Sequence, residues 1–290
     1  TIGNFDGVHL GHQRLLGQTR QAADRLGGDA VVMTFEPHPA TYLAPDRLPP
    51  RLSLADRKYE LLAALGIDVC IAENFGEEFA AITAAEFTED ILGKLFGVRH
   101  LVVGDDFRYG TGRLGDIESL RKAGIKHNFT VEVIEPVTSG EHRASSSAIR
   151  RALIEGNLSL ANTLLGRDYD VDGVVVRGAG RGREIGVPTA NIDAGGVLLP
   201  RPGIYATRVT ILESGEEYMA ATSLGTNPTF VLGGALTLEP HLLDFDSDLY
   251  GKRLRVSFVK HIRDEERFDS LDALLAQIHS DIEQTRKLLQ

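Results

Sequence analysis

The sequence predicts two domains of different class: a doubly wound parallel α/β domain, followed by an antiparallel β-barrel with a C-terminal helix. The chain has 290 residues, which is enough for about two domains. Up to about residue 165, short apolar runs alternate with amphipathic stretches, and this favours a parallel sheet covered by helices. Beyond "LLGRDYDVDG", β-rich runs with turn residues replace that alternation and favour a barrel. We place the domains at 1–166 and 167–290.

The first domain is predicted to alternate strands with helices along the chain. Strands are predicted over 1–5, 30–35, 68–72, 100–104 and 129–134. Helices are predicted over 11–27, 54–66, 84–97 and 116–124. In the third of these helices, Phe87, Ile91, Leu92 and Leu95 recur at helical spacing. Doubly wound sheets bind ligands beyond the carboxyl ends of their strands, so the residues there are candidate site residues.

The second domain is predicted from its β-rich runs and one terminal helix. The runs are "YDVDGVVV", "GIYATRVTIL", "EEYMAATSLG", "ALTLEPHLLDF" and "KRLRVSFVKHI". From Ser270 onward, one helical face carries Leu271, Leu274, Leu275, Ile278 and Ile282. Such an apolar face predicts a terminal helix docked on the sheet.

Composition excludes several functional classes. The formal net charge of −10 argues against non-specific binding to nucleic acid or to an anionic membrane. No apolar run approaches the ~20 residues that a membrane helix needs, and we expect a cytoplasmic monomer or weak homo-oligomer. The single cysteine, Cys70, excludes a disulfide scaffold, and its apolar run favours a buried structural thiol. The sequence begins inside a predicted strand, which indicates that a short preceding segment is absent.

The stretch "GNFDGVHLGHQ" combines glycines with two histidines at the start of a predicted helix. His9 and His12 lie in the first turn, where unpaired backbone N–H groups and the positive end of the helix dipole favour an anion. Gly3, Gly7 and Gly11 allow the backbone to come close to a ligand. The pattern therefore favours a phosphate site, although a glycine-rich turn with two surface histidines would have the same composition.

Two later segments support a nucleotide site. "GDDFRYGTGRLGD" (104–116) follows a predicted strand and joins Asp106 and Phe107 to several glycines, a composition that suits a loop around a planar ligand. "ASSSAIRRAL" (144–153) presents Ser145, Ser146 and Ser147 with Arg150 one turn further on. Serines at a helix start are also ordinary caps, but three hydroxyls and an arginine suit a polyphosphate.

With "TFEPHP" (34–39), these motifs resemble the adenylyltransferase module of the bifunctional bacterial riboflavin kinase/FAD synthetase family. The resemblance implies a Rossmann-like nucleotidyltransferase in which His9 and His12 contact the phosphates of ATP. It implies that Arg150 and the three serines hold the β and γ phosphates. Further nucleotide or flavin contacts are implied for Gly3, Asn4, Asp6, Gly11, Asp106 and Phe107. Ser147 stands where the family usually has threonine, so the hydroxyl is kept.

The second domain contains a glycine loop and an isolated glutamate. In "VVVRGAGRGREIGVPTANI" (174–192), Gly178, Gly180 and Gly182 alternate with arginines, as in loops that wrap phosphates; a flexible surface turn is the alternative. In a strand, Thr189 and Asn191 would offer oxygen ligands to Mg²⁺ from one face. Glu239 lies in an otherwise apolar run. Its carboxylate could serve as a general base, and an edge-strand glutamate is the alternative interpretation.

"GREIGVPTANI", "SLGTNPTF" and "HLLDFDSDLYGK" resemble the riboflavin kinase module of the same family. The resemblance implies that Thr189 and Asn191 bind Mg-ATP, that the glycine loop flanks its phosphates, and that Glu239 deprotonates riboflavin. Asn227 and Thr229 would line the nucleotide or flavin pocket. We therefore expect ATP and Mg²⁺ to serve two steps, riboflavin to FMN and FMN to FAD. The alternatives are a nucleotidyltransferase with another acceptor, or a flavin-binding protein without catalysis.

Overall fold

The computed structural model describes residues 1–178, 180, 182, 185–226 and 236–290. These residues form two compact units, Thr1–Pro49 with Ala55–Ser145 and Pro50–Leu54 with Ser146–Gln290. The units are defined by packing, whereas the limits 1–166 and 167–290 divide the chain by fold class. Those limits stay a prediction.

The first unit alternates helices with short strands. Its helices are α1 (Leu10–Leu26), α2 (Ala40–Leu43), α3 (Ala55–Ala64), α4 (Glu77–Ala81), α5 (Ala84–Glu86), a π-helix (Phe87–Leu95) and α6 (Ile117–His127). Short 3-10 turns cover Pro45–Arg47 and Thr111–Arg113. Its strands are β1 (Val31–Phe35), β2 (Val69–Glu73), β3 (His100–Gly104), β4 (Thr130–Ile134), β5 (Thr138–Ser139) and β6 (His142–Arg143).

Parallel pairing in the first unit is confirmed. β1 pairs with β2, and β3 pairs with β4, each in parallel over five residues. Of the first predicted strand, Ile2 makes a parallel bridge to Met33. Neighbouring residues of β1 enter different core clusters: Val32 packs with Leu16 and Leu62, and Met33 packs with Phe87 and Leu120. Since successive side chains of a strand point to opposite faces, helices cover both faces, as a doubly wound sheet requires.

The segment predicted as a helix over 84–97 contains the π-helix, at whose end Leu95 is 71% exposed. One expectation for the first unit is wrong: Cys70 is exposed, so its thiol is not buried. The reason is its place on β2, which pairs with β1 alone among the described residues.

The second unit is a closed antiparallel barrel with three helices among its described residues. The helices are α7 (Ser146–Ile154), α8 (Leu158–Leu165) and α9 (Leu271–Leu289). The strands are β7 (Tyr169–Val176), β8 (Asn191–Asp193), β9 (Gly203–Ile211), β10 (Glu217–Thr226), β11 (Leu236–Leu242) and β12 (Arg253–Arg263). The barrel order is β10-β11-β8-β7-β12-β9, which confirms the predicted antiparallel barrel.

The predicted terminal helix is confirmed and docks through a charged contact as well as an apolar face. Ser270 caps α9 by accepting the backbone N–H of Ala273 at 3.2 Å. Asp281 is buried and accepts hydrogen bonds from Arg263 of β12, from Nε at 3.0 and 3.2 Å to its two carboxylate oxygens and from Nη2 at 2.8 Å. Leu271 is predicted on the docked face but is 54% exposed, because it lies in the first turn of the helix.

Candidate active sites

A cavity of about 670 Å³ lies in the first unit, at the carboxyl ends of its strands. Phe35 at the end of β1, Gly104 at the end of β3 and Ile134 at the end of β4 all line it. This is the expected position for a ligand in a doubly wound sheet, and the volume falls within the range of small-molecule sites.

His9 and His12 lie together at one wall of this cavity. His9 is the N-cap of α1, and its Nδ1 accepts the backbone N–H of His12 at 3.3 Å. The two rings stack with centroids 3.6 Å apart, and the Phe5 ring meets His12 edge-on at 5.1 Å. Because Nδ1 of His9 accepts this hydrogen bond, the ring N–H that can donate to a ligand is the one on Nε2.

The His12 ring is held in its neutral form. Burial lowers the pKa of His12 well below its usual value, and the nearby His9 lowers that pKa further. Its Nδ1 is buried and has no hydrogen-bond partner among the described residues. A proton on Nδ1 would therefore lack an acceptor, so the N–H of this ring belongs on Nε2. A neutral imidazole still donates a hydrogen bond to a phosphate oxygen.

Gly11 and Asn4 shape the same wall. A Cβ at Gly11 would lie 3.0 Å from the His9 ring and 3.3 Å from the Ala144 carbonyl oxygen, so a side chain here would require these neighbours to shift. The side-chain amide of Asn4 lies 3.2 Å from Nε2 of His38, whose Nδ1 accepts the backbone N–H of Ala40 at 3.1 Å. His38 belongs to the "TFEPHP" motif, but the sequence assigns it no role by itself. The feature of the sequence that could have marked His38 as a candidate site residue is its position just after β1.

Asp106 forms an ion pair with an arginine that the sequence analysis did not identify as a site residue. Arg143 of β6 donates to Asp105 at 2.9 Å and to Asp106 at 3.3 Å, and all three residues line the cavity. The guanidinium therefore offsets part of the negative charge of these two adjacent carboxylates. Arg143 is a single charged residue in a short hairpin, so no local pattern marks it.

Aromatic side chains form another part of the cavity wall. Phe107 stacks on Tyr109 with centroids 5.7 Å apart and an angle of 17° between the rings. Burial raises the pKa of Tyr109, whose hydroxyl lies 3.2 Å from Ser119 Oγ. The loop reaches this position because Gly110 has φ +71° and packs on Ala84; a Cβ there would lie 2.5 Å from the Ala84 nitrogen. Phe35, Phe75, Phe79 and Phe87 continue the aromatic wall.

The remaining predicted residues of the first site fall into two groups. Gly3 and Ser145 line the cavity. Asp6 is buried and is not among the described residues that line the cavity. Ser146, Ser147 and Arg150 belong to α7 of the second unit. There, Arg150 Nε donates to the carbonyl oxygen of Pro50 at 2.7 Å. The cavity of the first unit therefore brings together some of the residues predicted for the nucleotide site, and others lie elsewhere.

In the second unit, Asn191 and Glu239 lie opposite each other on neighbouring strands. Ile192 of β8 pairs with Leu238 of β11 in antiparallel register, which sets Asn191 against Glu239. The hydrogen bond from the Ala190 N–H to the Pro240 carbonyl, at 2.9 Å, agrees with this register. Ala190, Ile192, Leu238 and Pro240 are buried, so the alternate side chains of Thr189, Asn191 and Glu239 share the outer face.

Two glycines of the predicted loop pack against these side chains. A Cβ at Gly178 would overlap the side-chain amide of Asn191. A Cβ at Gly182 would lie 2.5 Å from the Val187 carbonyl oxygen and 3.3 Å from Oγ1 of Thr189. A Cβ at Gly180, which has φ +75°, would meet no atom of the described residues within 4 Å. Asn227 and Thr229 lie outside the described residues.

The donor set on this outer face fits Mg²⁺. It offers a hydroxyl from Thr189, an amide oxygen from Asn191 and a carboxylate from Glu239, all hard oxygen atoms. Among the described residues, no group of three or more His, Cys, Asp and Glu could hold a metal ion. A site with few protein ligands is typical of Mg²⁺ that arrives with a nucleotide and keeps part of its hydration.

Comparisons with known proteins identify the family. The FAD synthetase family model matches residues 1–148, and the riboflavin kinase family model matches residues 165–289. The bifunctional riboflavin kinase/FMN adenylyltransferase of Escherichia coli (strain K12) is 44% identical, covering 97% of this chain and 89% of that protein. The Pseudomonas fluorescens protein of the same name is 40% identical over 99% of this chain and 92% of its own length.

A solved structure of similar fold carries a different description. It is described as a macrolide-efflux protein from Streptococcus pneumoniae, has a TM-score of 0.88 and 33% identity, and the match covers 98% of this chain and 92% of that chain. Across the described ranges of the present chain, no helix is long and apolar enough to cross a membrane. The matched models and the relatives agree in content and in order, and the chain belongs to the family of bifunctional riboflavin kinase/FMN adenylyltransferases.

Proposed function

We propose a residue-level division of labour for the two activities of this family. The chain phosphorylates riboflavin to FMN with its second module and adenylylates FMN to FAD with its first. The cavity of the first unit is the adenylyl-transfer site, and the outer face of β8 and β11 is the kinase site. The stacked His9 and His12 at the start of α1 carry the first assignment. The pairing of Asn191 with Glu239 carries the second.

In the first unit, the wall formed by α1 receives the phosphates of ATP. His9 and His12 donate Nε2–H to oxygens of the α-phosphoryl group, where negative charge develops. An oxygen of the FMN phosphate attacks the α-phosphorus, and the bond from this phosphorus to the bridging oxygen breaks as pyrophosphate leaves. Such a transfer depends on positioning and charge neutralisation and needs no covalent enzyme intermediate. Gly3, Gly11 and Ser145 line the nucleotide wall. For Asp6, Ser146, Ser147 and Arg150 we keep the predicted contacts with the nucleotide and its leaving phosphates.

The aromatic wall receives the flavin. Phe107 offers a ring face that is already aligned with Tyr109, and the neighbouring phenylalanines suit the planar isoalloxazine. Asp106 would repel the phosphate of FMN if it were unpaired. Arg143, which contacts both Asp105 and Asp106, reduces that repulsion by pairing with both carboxylates.

In the second unit, Glu239 is the general base. Its carboxylate takes the proton of the terminal ribityl hydroxyl while that oxygen attacks the γ-phosphorus of ATP and ADP leaves. Thr189 and Asn191 would hold Mg²⁺, which supplies positive charge to the phosphate oxygens when it is bound. Gly178, Gly180 and Gly182 flank the phosphates. For Asn227 and Thr229 we keep the predicted role in lining the pocket, and a cytoplasmic location and a monomer or weak homo-oligomer likewise stay predictions.

Product analysis tests the assignment of both sites. The chain is incubated with riboflavin, ATP and Mg²⁺, and then separately with FMN, ATP and Mg²⁺, and the flavins are separated by chromatography. We expect FMN and FAD from riboflavin, and FAD with pyrophosphate from FMN. Tight flavin binding without either product would indicate a binding protein. A different adenylylated acceptor would indicate another nucleotidyltransferase.

A further inference from the structure

A buried lysine lies beneath the nucleotide wall of the first unit. Lys58 of α3 is only 4% exposed, although lysine is almost never fully buried unless it is paired. Its ammonium donates to Oε1 of Glu36 at 2.7 Å and to Oγ1 of Thr34 at 3.3 Å. Thr34 is fully buried on β1, and Glu36 follows that strand directly.

The hydrogen bonds run in one direction, from Lys58 to the cavity wall. The single hydroxyl proton of Thr34 is donated to the backbone carbonyl of Asn4 at 3.2 Å, so Thr34 Oγ1 accepts from the ammonium through a lone pair. A charged donor at the head of such a chain strengthens the next hydrogen bond in a region of low dielectric constant. Lys58 thus acts on the position of Asn4 through one intermediate residue.

The same lysine also holds the second segment of this wall. Glu36 and His38 belong to the loop that follows β1, and the side-chain amide of Asn4 lies 3.2 Å from Nε2 of His38. Asn4 and Pro39 line the cavity, one from each segment. Lys58, Thr34, Asn4, His38 and Glu36 therefore connect both segments from below.

We propose that Lys58 is a positioning residue for adenylyl transfer, which acts through Thr34 and Glu36 to hold the two loop segments that the nucleotide meets. This inference rests on the proposed function of the cavity. A purely structural role is the alternative, but buried ion pairs contribute little net stability compared with apolar residues of similar volume. The two roles differ in their kinetic consequences.

The test compares Thr34→Val with Thr34→Ser. Valine keeps the shape of threonine and removes the hydroxyl, whereas serine keeps the hydroxyl. We expect Thr34→Val to raise KM for ATP in FMN adenylylation and to lower kcat/KM about tenfold or more, since small misplacements at a reaction site have large effects. Thr34→Ser should stay within about threefold of the parental value. Lys58→Met should behave like Thr34→Val, and riboflavin phosphorylation by each variant is the internal reference.

Two further variants separate positioning from stability. Arg255→Met removes a half-buried ion pair of the second unit, in which Arg255 Nε and Nη2 each donate to Asp172 at 2.7 Å. This variant should lower stability and leave FMN adenylylation per folded molecule unchanged. If Thr34 acts through Asn4, then Thr34→Val should have a smaller effect in an Asn4→Ala background than in the parental chain.

The outcomes distinguish failure of the positioning role from failure of the proposed site. If Thr34→Val retains the parental kcat and KM per folded molecule, or if its effect is additive with Asn4→Ala, Lys58 is only structural. If His12→Ala also retains FMN adenylylation, the cavity itself is wrongly assigned. Loss of FAD formation in His12→Ala with parental kinetics in Thr34→Val would overturn the positioning role alone.

Discussion

Asn191 lies directly opposite Glu239 on the antiparallel pair of β8 and β11, with both side chains on the outer face of the barrel. Directly opposed side chains in such a pair have Cβ atoms about 5 Å apart. The amide oxygen that would hold Mg²⁺ and the carboxylate that would remove a proton are therefore neighbours. The closed barrel also means that Glu239 is on an internal strand, so the edge-strand alternative does not apply.

Glu239→Gln is expected to abolish formation of FMN from riboflavin while FAD still forms from supplied FMN. The loss should be about 10²- to 10⁴-fold, the range typical of a general base. Product chromatography with each substrate measures both steps. Glu217→Gln, which changes an exposed carboxylate on β10, is the matched control and should retain both activities. Loss of both steps in Glu239→Gln would argue against the division into two modules.

His12→Ala is expected to stop the reaction at FMN. Removing one donor to developing charge lowers such rates by about 10²- to 10³-fold, so FAD formation should fall while riboflavin phosphorylation continues. The rate of pyrophosphate release from FMN and ATP measures the effect. FAD formation at the parental rate would show that His12 has a different role.

The lowered pKa of His12 predicts a dependence of stability on pH. Below its usual pKa of 6.5, the unfolded chain binds a proton at His12 that the folded chain does not bind until the pH is much lower. The free energy of unfolding should therefore fall as the pH drops below about 6.5 and level off below the folded pKa. Denaturant titrations between about pH 8 and pH 5 measure this. His12→Gln should flatten the curve, and His142→Gln, which changes an exposed histidine on β6, is the control for the loss of a histidine.

Gly178→Ala is expected to impair riboflavin phosphorylation. The added Cβ would overlap the side-chain amide of Asn191 and displace a proposed Mg²⁺ ligand. The measurement is the Mg²⁺ concentration required for half-maximal riboflavin phosphorylation, which should rise. Gly28→Ala is the control, since a Cβ there would meet no atom within 4 Å in the part of the chain that the structure describes. An unchanged Mg²⁺ requirement in Gly178→Ala would contradict the role given to Asn191.

The helices and strands were predictable where the pattern of buried and exposed residues repeats within a single segment of the chain. The runs that form β7, β9 and β12 largely alternate buried residues with less buried ones, and "GVHLGHQ" places His9 at the N-cap of α1. The π-helix was not predictable, because apolar spacing does not specify whether the hydrogen bonds run i→i+4 or i→i+5. Leu95, at the end of this helix, is exposed.

Motifs and periodicity are properties of neighbouring residues, so the sequence by itself determined the two fold classes, the family resemblance and most candidate residues. Contacts between distant residues were decided only by the tertiary structure. Strand register places Asn191 against Glu239, a two-residue hairpin strand brings Arg143 to Asp106, and packing of α3 buries Lys58 beneath Asn4. Each depends on how remote segments pack, because burial and register are set by the whole fold rather than by the residues on either side.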